Sequence, residues 1–171
     1  MGFCSANKAT LQRRLEKESL ILVPGGALEA LHAHPGVMKF YFKRRKGFVR
    51  LALETQTQLI PVIGFGENDI FDTLNLSCSE TVRSSTPVKD SSIGLIWDIQ
   101  QWLIKTTTFS LPILTRMVPK RKPINVVVGK PVEFKSNDVE ECHRLYQDAV
   151  QKLYDDHKAK FGYEGIELEI I

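Results

Sequence analysis

Two short segments of the sequence carry the residue types that a small-molecule site needs, and the first is a glycine pair. Gly25 and Gly26 follow an apolar run, and Glu29 comes one short turn later. Glycines let backbone amides approach a ligand closely, and a carboxylate at that distance could orient a hydroxyl or hold a cation. A plain strand-to-helix turn with a solvated glutamate fits the same spacing, so both interpretations stay open.

The second segment is Gly66-Glu67-Asn68, which follows the apolar residues 59–65. Asparagine tolerates turn geometry, so Glu67 is either a functional acid at a strand end or an ordinary loop carboxylate. Ligands of open α/β sheets gather outside the carboxyl ends of the strands. If residues 19–23 and 59–65 are such strands, both segments should open onto one cavity.

A run of cations, Lys-Arg-Arg-Lys at residues 43–46, allows three interpretations. Such a run often forms a solvated face. It could instead contact the phosphates of a coenzyme or an anionic bilayer through charge-assisted contacts. A nucleic-acid patch is the third interpretation, but no DNA- or RNA-reading motif accompanies the run, so we expect no nucleic-acid partner.

The histidines and cysteines form no recognisable catalytic or metal-binding set. His32 and His34 share no helical face and have no carboxylate cluster near them in the sequence, so a surface turn is expected. Cys142 and His143 are adjacent on a predicted helix, where their side chains diverge. No Gly-x-Ser-x-Gly, Walker-type or dinucleotide-binding motif occurs. Residue types alone therefore predict no metal site and leave the catalytic group unknown.

Short helices and strands must position these residues. Apolar spacing predicts helices over residues 5–18, 27–33, 47–55 and 93–105. A long helix should open at an Asn137-x-x-Glu140 capping box and end at Gly162. Apolar or alternating runs predict strands over residues 19–23, 37–42, 59–65 and 124–128, the first of them covered on both faces. The alternation predicts an α/β fold with a mixed, partly parallel sheet flanked by helices.

The composition is that of one globular domain over residues 1–171. Apolar residues make up 43% of the 171 residues and charged residues 25%, which excludes a disordered or fibrous chain. The three cysteines are far apart and odd in number, which argues for a reducing compartment rather than a disulfide framework. The most apolar long stretch, residues 91–115, is too diluted by polar residues for a confident span and fits an interfacial or buried segment better.

Taken together, these segments resemble the monoacylglycerol and type-2 diacylglycerol acyltransferase family. The resemblance covers most of the chain in matching order and spacing, is most specific over residues 45–68 and is weakest over about residues 75–118. The matching segments are residues 23–31, 35–36, 45–53, 59–62, 65–69, 122–124, 127–132 and 157–162.

The resemblance implies a fold similar to that of the glycerolipid acyltransferases, docked on the cytosolic face of the endoplasmic reticulum membrane. It implies acyl transfer from acyl-CoA, a co-substrate rather than a cofactor, to a hydroxyl of mono- or diacylglycerol in triacylglycerol synthesis. Acyl-CoA, the acylglycerol and the membrane surface are the expected partners, and a homo-oligomer is compatible with the family. The usual proposal is that a histidine general base takes the proton of the glycerol hydroxyl, which then attacks the thioester.

The sequence departs from the family pattern at that histidine. Members carry it in a His-Pro-His-Gly segment upstream of the glycine pair, together with hydrophobic membrane segments near the N-terminus. The only similar residues here, His-Ala-His-Pro-Gly at 32–36, have another order and follow the glycine pair. We therefore expect the sequence to be the C-terminal portion of a member, a fragment without that segment. The alternative is a non-catalytic lipid- or membrane-surface-binding module derived from such an enzyme.

Three family motifs supply the expected substrate-binding residues. The glycine-pair motif is expected near the acyl-acceptor pocket, and the cations of the basic-glycine motif are expected at coenzyme phosphates or at the membrane surface. The third motif, after residue 65, has no specified role. The residues are Gly25, Gly26, Glu29, Arg45, Lys46, Gly47, Glu67 and Asn68.

Overall fold

Helices and short strands alternate in the computed structural model, which describes residues 3–71 and 118–171. The predicted loop at 75–92, the helix at 93–105 and the interfacial segment at 91–115 lie outside the described residues. In chain order the elements are α1 (Lys8–Leu15), α2 (Gly26–His32), β1 (Met38–Phe40), α3 (Gly47–Thr55), β2 (Val62–Phe65), a 3₁₀ turn (Glu67–Asp69), β3 (Asn125–Val128), α4 (Val139–Lys158), a second 3₁₀ turn (Ala159–Phe161) and β4 (Leu168–Ile170).

The strands form two small sheets of opposite kind. Strand β1 pairs in parallel with β4, with Met38 opposite Leu168, and β2 pairs antiparallel with β3, with Val62 opposite Val128. Pro61 lacks an N–H, but its carbonyl accepts a hydrogen bond from Gly129 N at 2.9 Å, so pairing continues past it. The predicted α/β class with a parallel pair of strands is therefore confirmed, but the described strands form two separate two-stranded sheets instead of one mixed sheet. Strand β4 was not predicted.

Helix α4 covers one face of both sheets and closes an aromatic core. Phe65 of β2 is fully buried and stacks on Tyr154 of α4 with ring centroids 5.7 Å apart. Phe161 contacts the same Phe65 ring at 4.9 Å. The buried core residues are Met38, Phe42, Ile63, Phe65, Val150, Tyr154, Tyr163 and Leu168. The carboxyl-terminal part of the chain thus supports the strand that leads into the Glu67 loop.

The strand predicted over residues 19–23 is wrong. None of these residues belongs to a strand, and the side chains of Ile21 and Val23 are 93% and 67% exposed. A strand needs a paired neighbour to satisfy its backbone groups, and within residues 3–71 and 118–171 no strand pairs with this run. An apolar run by itself predicts burial but does not supply the partner that burial requires.

The capping box predicted at Asn137 is also wrong, since Asp138 caps α4. Its two carboxylate oxygens accept hydrogen bonds from Glu140 N at 3.2 Å and Glu141 N at 3.4 Å. One carboxylate thereby satisfies two of the unpaired amides at the helix start. The buried residues of α4 are Cys142, His143, Val150 and Tyr154.

The other elements predicted within the described residues are confirmed, although α1 is shorter than the predicted residues 5–18. Helix α1 begins after Asn7, whose side chain accepts the Thr10 amide at 2.8 Å, and α3 has its predicted bounds. Strands β1, β2 and β3 lie inside their predicted ranges but are shorter. Across the described parts of the chain, no helix combines the length and the apolar character needed to cross a bilayer.

Candidate functional site

The glycine pair and Glu29 form one compact unit. Glu29 projects from α2 back over Gly25, where a Cβ atom would lie only 2.0 Å from the Glu29 Oε2 atom. The same Oε2 accepts a hydrogen bond from Tyr41 N at 3.0 Å, just after β1. Only a residue without a side chain fits at position 25, and the carboxylate is held in one orientation by the neighbouring backbone.

Arg45 also contacts the segment that contains the glycine pair. Its Nη1 atom donates to the Pro24 carbonyl at 2.8 Å, directly before the glycine pair. A Cβ atom on Gly26 would lie 3.0 Å from the same nitrogen. The guanidinium therefore lies across the glycine pair near the carboxylate of Glu29, where a planar fork of donors can meet an anionic group as well as the backbone.

The loop after β2 carries Glu67, whose charge acts on the Glu29 carboxyl. Gly66 adopts a left-handed φ of 92°, and a 3₁₀ turn follows it. The Glu67 carboxyl folds back over Gly64, whose Cβ would lie 3.1 Å from it. Asn68 points elsewhere and donates to the Val37 carbonyl at 3.0 Å, so its amide anchors the loop to the chain entering β1.

The pKa of the Glu29 carboxyl depends on these neighbouring groups. Burial raises the pKa of the Glu29 carboxyl, and the nearby negative charge of Glu67 raises it further. The hydrogen bond from the Tyr41 amide and the positive charge of Arg45 act in the opposite direction but do not cancel the effect of burial. A half-buried carboxyl of this kind is suited to hydrogen-bond a hydroxyl group, either as acceptor or, when protonated, as donor.

Lys46 and Gly47 lie away from this unit. The Lys46 ammonium bonds both carboxylate oxygens of Glu140 in the first turn of α4, and Gly47 is the exposed first residue of α3. The two adjacent cations of the basic-glycine motif thus point to different parts of the molecule. Of the predicted site residues, the structure brings together Gly25, Gly26, Glu29 and Arg45, while Glu67 lies over Gly64 of β2.

Lys46 instead borders a shallow groove of about 570 Å³ between the basic run and α4. Lys43, Arg144 and Gln147 also line it, together with acidic residues of the first turn of α4. Its floor includes His143, which is 3% exposed and lies with Nε2 3.1 Å from the Phe42 carbonyl. Burial lowers the pKa of His143, and the lining of the groove mixes cations with carboxylates.

The two adjacent residues Cys142 and His143 contact different elements, as predicted. The Cys142 thiol donates to the Ser136 carbonyl at 3.1 Å, away from the His143 ring. His32 lies beside the candidate site, with its ring stacked on Tyr41 at 5.0 Å. Among the residues that the structure describes, no three His, Cys, Asp or Glu side chains are grouped to hold a metal ion.

Two polar residues at the base of the site escaped sequence reasoning. The buried Tyr163 phenol accepts a hydrogen bond from Gly66 N at 2.9 Å and donates to Asp69 Oδ2 at 2.7 Å. Asp69 lies within a matching family segment, but Tyr163 is nearly a hundred residues away and belongs to no motif. Only its position near the end of the predicted α4, next to Gly162, could have drawn attention to it.

Comparisons with known proteins agree on one family. The family model described as diacylglycerol acyltransferase matches residues 1–170. The chain is 32% identical to a 2-acylglycerol O-acyltransferase 1 of Bos taurus over 94% of this chain and 50% of that protein. It is 33% identical to a diacylglycerol O-acyltransferase 1 of Eremothecium gossypii, over 100% of this chain and 38% of that protein.

A third relative extends this range. A diacylglycerol O-acyltransferase 2A of Umbelopsis ramanniana is 30% identical over 99% of this chain and 50% of its own length. The chain thus spans about half the length, or less, of these curated relatives. No solved structure matches the chain.

Proposed function

Since the chain belongs to the diacylglycerol acyltransferase family, we propose that it takes part in acyl transfer from acyl-CoA to a hydroxyl of mono- or diacylglycerol. The observation that carries the proposal is the convergence of three separate family motifs. Glu29 and Arg45 meet around the glycine pair, and the charge of Glu67, 38 residues after Glu29, acts on the Glu29 carboxyl. The names of the relatives, which are acylglycerol and diacylglycerol O-acyltransferases, support the substrate class.

The proposed roles follow from the chemistry of each group. The acceptor hydroxyl oxygen attacks the thioester carbonyl carbon, the new C–O bond forms and the C–S bond breaks. The coenzyme leaves as a thiol after taking the proton that the hydroxyl gave up to a general base. In this scheme the Glu29 carboxyl orients the hydroxyl, and Arg45 faces a phosphate of the coenzyme. Lys46 is engaged by Glu140 and has no assigned role.

The general base of this scheme is the histidine of a His-Pro-His-Gly segment. Residues 1–171 contain no such segment, so no catalytic base is assigned within this chain. The decisive experiment assays the 171-residue chain alone and the same chain joined to an upstream segment that carries His-Pro-His-Gly. Labelled acyl-CoA is supplied with either mono- or diacylglycerol. We expect product only from the joined chain, and absence of product from both would refute the proposal.

A matched pair of arginine variants tests the coenzyme side in the active form. Arg45→Lys keeps the charge but removes the planar fork that spans the Pro24 carbonyl and the glycine pair. Arg44→Lys makes the same change at the preceding, exposed position. We expect Arg45→Lys to raise the KM for acyl-CoA about tenfold and Arg44→Lys to leave it unchanged. Equal effects of the two variants would remove Arg45 from the coenzyme site.

The finer fold and the location belong to the same proposal. We infer a fold of the glycerolipid acyltransferase type on the cytosolic face of the endoplasmic reticulum membrane. Protease digestion of sealed microsomes that contain the chain tests this location. Digestion without detergent is the expected result, and protection until detergent is added would contradict it.

A second candidate function is a lipid- or membrane-surface-binding module without catalysis. The exposed apolar side chains of Ile21, Leu22 and Val23 and the exposed cations Lys43 and Arg44 favour it. Such a pairing of apolar and basic groups is typical of binding to anionic bilayers. Co-sedimentation with anionic vesicles should then weaken as salt is raised. Vesicle binding that ignores both salt and the loss of the Arg44 charge would exclude the electrostatic form of this function.

A further inference from the structure

The Tyr163 phenol connects the carboxyl-terminal segment to the loop that carries Glu67. Tyr163 is 4% exposed and lies just after Gly162, with its ring edge-on to Phe65 at 5.4 Å. Its hydroxyl accepts the Gly66 amide and donates to the Asp69 carboxylate. A single hydroxyl group thus holds both ends of the four-residue loop from Gly66 to Asp69.

The other contacts of this loop leave Glu67 pointing outwards. Asn68 donates to the Val37 carbonyl, and Asp69 N donates to the Gly66 carbonyl at 3.2 Å. Gly66, Asn68 and Asp69 are buried or half-buried, whereas Glu67 is exposed. The direction of the Glu67 side chain is therefore set by a loop that the phenol holds at two points, the Gly66 amide and the Asp69 carboxylate.

The direction of the Glu67 side chain affects the charge that surrounds the Glu29 carboxyl. The Glu67 carboxyl lies over Gly64 and close enough to Glu29 for its charge to act there, opposite the charge of Arg45. Like charges avoid each other unless a rigid scaffold holds them together. A loop released from its anchors would let Glu67 turn towards water and away from Glu29.

We propose that Tyr163 is a positioning residue of the candidate site, since its hydroxyl, bonded to Gly66 and Asp69, holds the loop that places the Glu67 carboxylate over Gly64. The inference deepens the proposed function and rests on it only for the meaning of the site as an acyl-acceptor pocket. Tyr163 touches no substrate in this role. Its hydroxyl acts by holding the loop, and the aromatic ring without the hydroxyl would not hold the loop.

A neighbouring tyrosine provides a matched control. Tyr154 is fully buried in the same aromatic core, and its hydroxyl donates to the Ile166 carbonyl at 2.9 Å instead of to the loop. Tyr154→Phe and Tyr163→Phe each remove one buried hydroxyl and keep the ring. A merely structural role would make the two variants behave alike at Glu29.

The experiment follows the Glu29 carboxyl itself by carbon-13 NMR titration of the full 171-residue chain. Tyr163→Phe should lower the pKa of Glu29, because the negative charge of Glu67 moves away, whereas Tyr154→Phe should leave it unchanged. Glu67→Gln removes the Glu67 charge completely, so it gives the largest change in the pKa of Glu29 that a movement of Glu67 could cause. Tyr163→Phe in the Glu67→Gln background should then add nothing.

Asp69→Asn is the second variant. If Tyr163→Phe does not fold, Asp69→Asn tests in its place whether loss of a loop anchor lowers the pKa of Glu29. It weakens one anchor of the loop, and Asp69 is not among the charges that act on Glu29, so a lower pKa of Glu29 again means that Glu67 has moved. An unchanged pKa of Glu29 in the folded variants, or an equal change in Tyr154→Phe, overturns the inference. Because no step requires activity, a failed acyl-transfer assay leaves this result standing.

Discussion

At the scale of single residues, Gly66 meets the most severe steric demand of the loop. Its φ of 92° is open to glycine and strained for other residues, and a Cβ atom would lie 2.2 Å from the Pro123 carbonyl oxygen. Backbone cannot yield as a flexible side chain can. The glycine is thus required twice, once for its conformation and once for the close approach of the segment that enters β3.

Gly66→Ala should therefore destabilise the chain by about 3 kcal/mol, from backbone strain and overpacking together. Gly36→Ala is the matched control, because Gly36 has a φ of 78° but no atom within 4 Å of its Cβ position. It should cost only about 1 kcal/mol. Urea unfolding of both variants measures the difference. Equal losses would mean that the contact with Pro123 is unimportant.

Tyr163 gives a second prediction at this scale, in the pH dependence of stability. Burial and the hydrogen bond to Asp69 raise the pKa of its phenol from 10.0 to about 12. A raised pKa means that the folded state holds the proton more tightly than the unfolded state. The resulting stabilisation is complete below pH 10 and is lost as the pH rises to about 12.

The Tyr163→Phe variant should lack this alkaline loss. At neutral pH it should be less stable than the wild type by about 2 kcal/mol, since the Gly66 amide and the Asp69 carboxylate lose their partner. Denaturant unfolding over a pH series should show the two curves converging above pH 10. Parallel curves over that range would show that the phenol does not stabilise the fold through its proton.

The sequence predicted the residues of the site better than their connections. Glu29, Arg45 and Glu67 belong to motifs whose residue types already indicated polar chemistry. The opposite directions of Arg45 and Lys46 could not be predicted, because they depend on where the chain turns into α3 and on the distant Glu140. These contacts exist only once the chain has folded.

At the scale of elements, α4 shows how one residue sets a helix start. Asp138 carries two oxygens that accept two amides, whereas the neighbouring Asn137 is exposed. Both residue types are favoured at this position. Sequence alone therefore located the helix but placed its first turn one residue early.

Asp138→Ala should cost about 1 kcal/mol of unfolding free energy. Asn137→Ala, the adjacent control, should change it by less than about 0.5 kcal/mol. Thermal or urea unfolding distinguishes them. A larger loss for Asn137→Ala would restore the capping box that the sequence suggested.

The two strand errors have one physical cause. Residues 19–23 have the apolar character of a buried strand but no paired strand within the described chain, whereas β4 has a partner in β1. Strand β4 carries its own signal, since Ile166, Leu168 and Ile170 alternate with Glu167 and Glu169. Pairing is a property of two segments, so neither error could be settled from one segment alone.

At the scale of the whole molecule, the β2–β3 sheet is covered on one side. Ile63 and Phe65 face α4 and are at most 1% exposed. The other face leaves Val62, Val126 and Val128 more than half exposed. The stabilising contacts of this part of the fold therefore lie on the side of α4.

Two isoleucines of one segment test this asymmetry. Ile63→Ala should destabilise the chain by about 2 to 5 kcal/mol, because it leaves a cavity against α4. Ile60→Ala, at a position 46% exposed, should cost less than about 1 kcal/mol. Urea unfolding with equal slopes for the two variants would confirm the comparison. Equal losses would show that the outer face is covered as well.

The parallel pairing of β1 with β4 also sets the order in which the molecule can be completed during synthesis. Met38 pairs with Leu168, and Gly66 bonds Tyr163, so the loop with Glu67 remains unfixed until residue 163 has left the ribosome. Contacts that span so much of a chain form late. A polypeptide that ends before Tyr163 would keep the contact between Arg45 and Pro24 but would lack the phenol that holds the Glu67 loop.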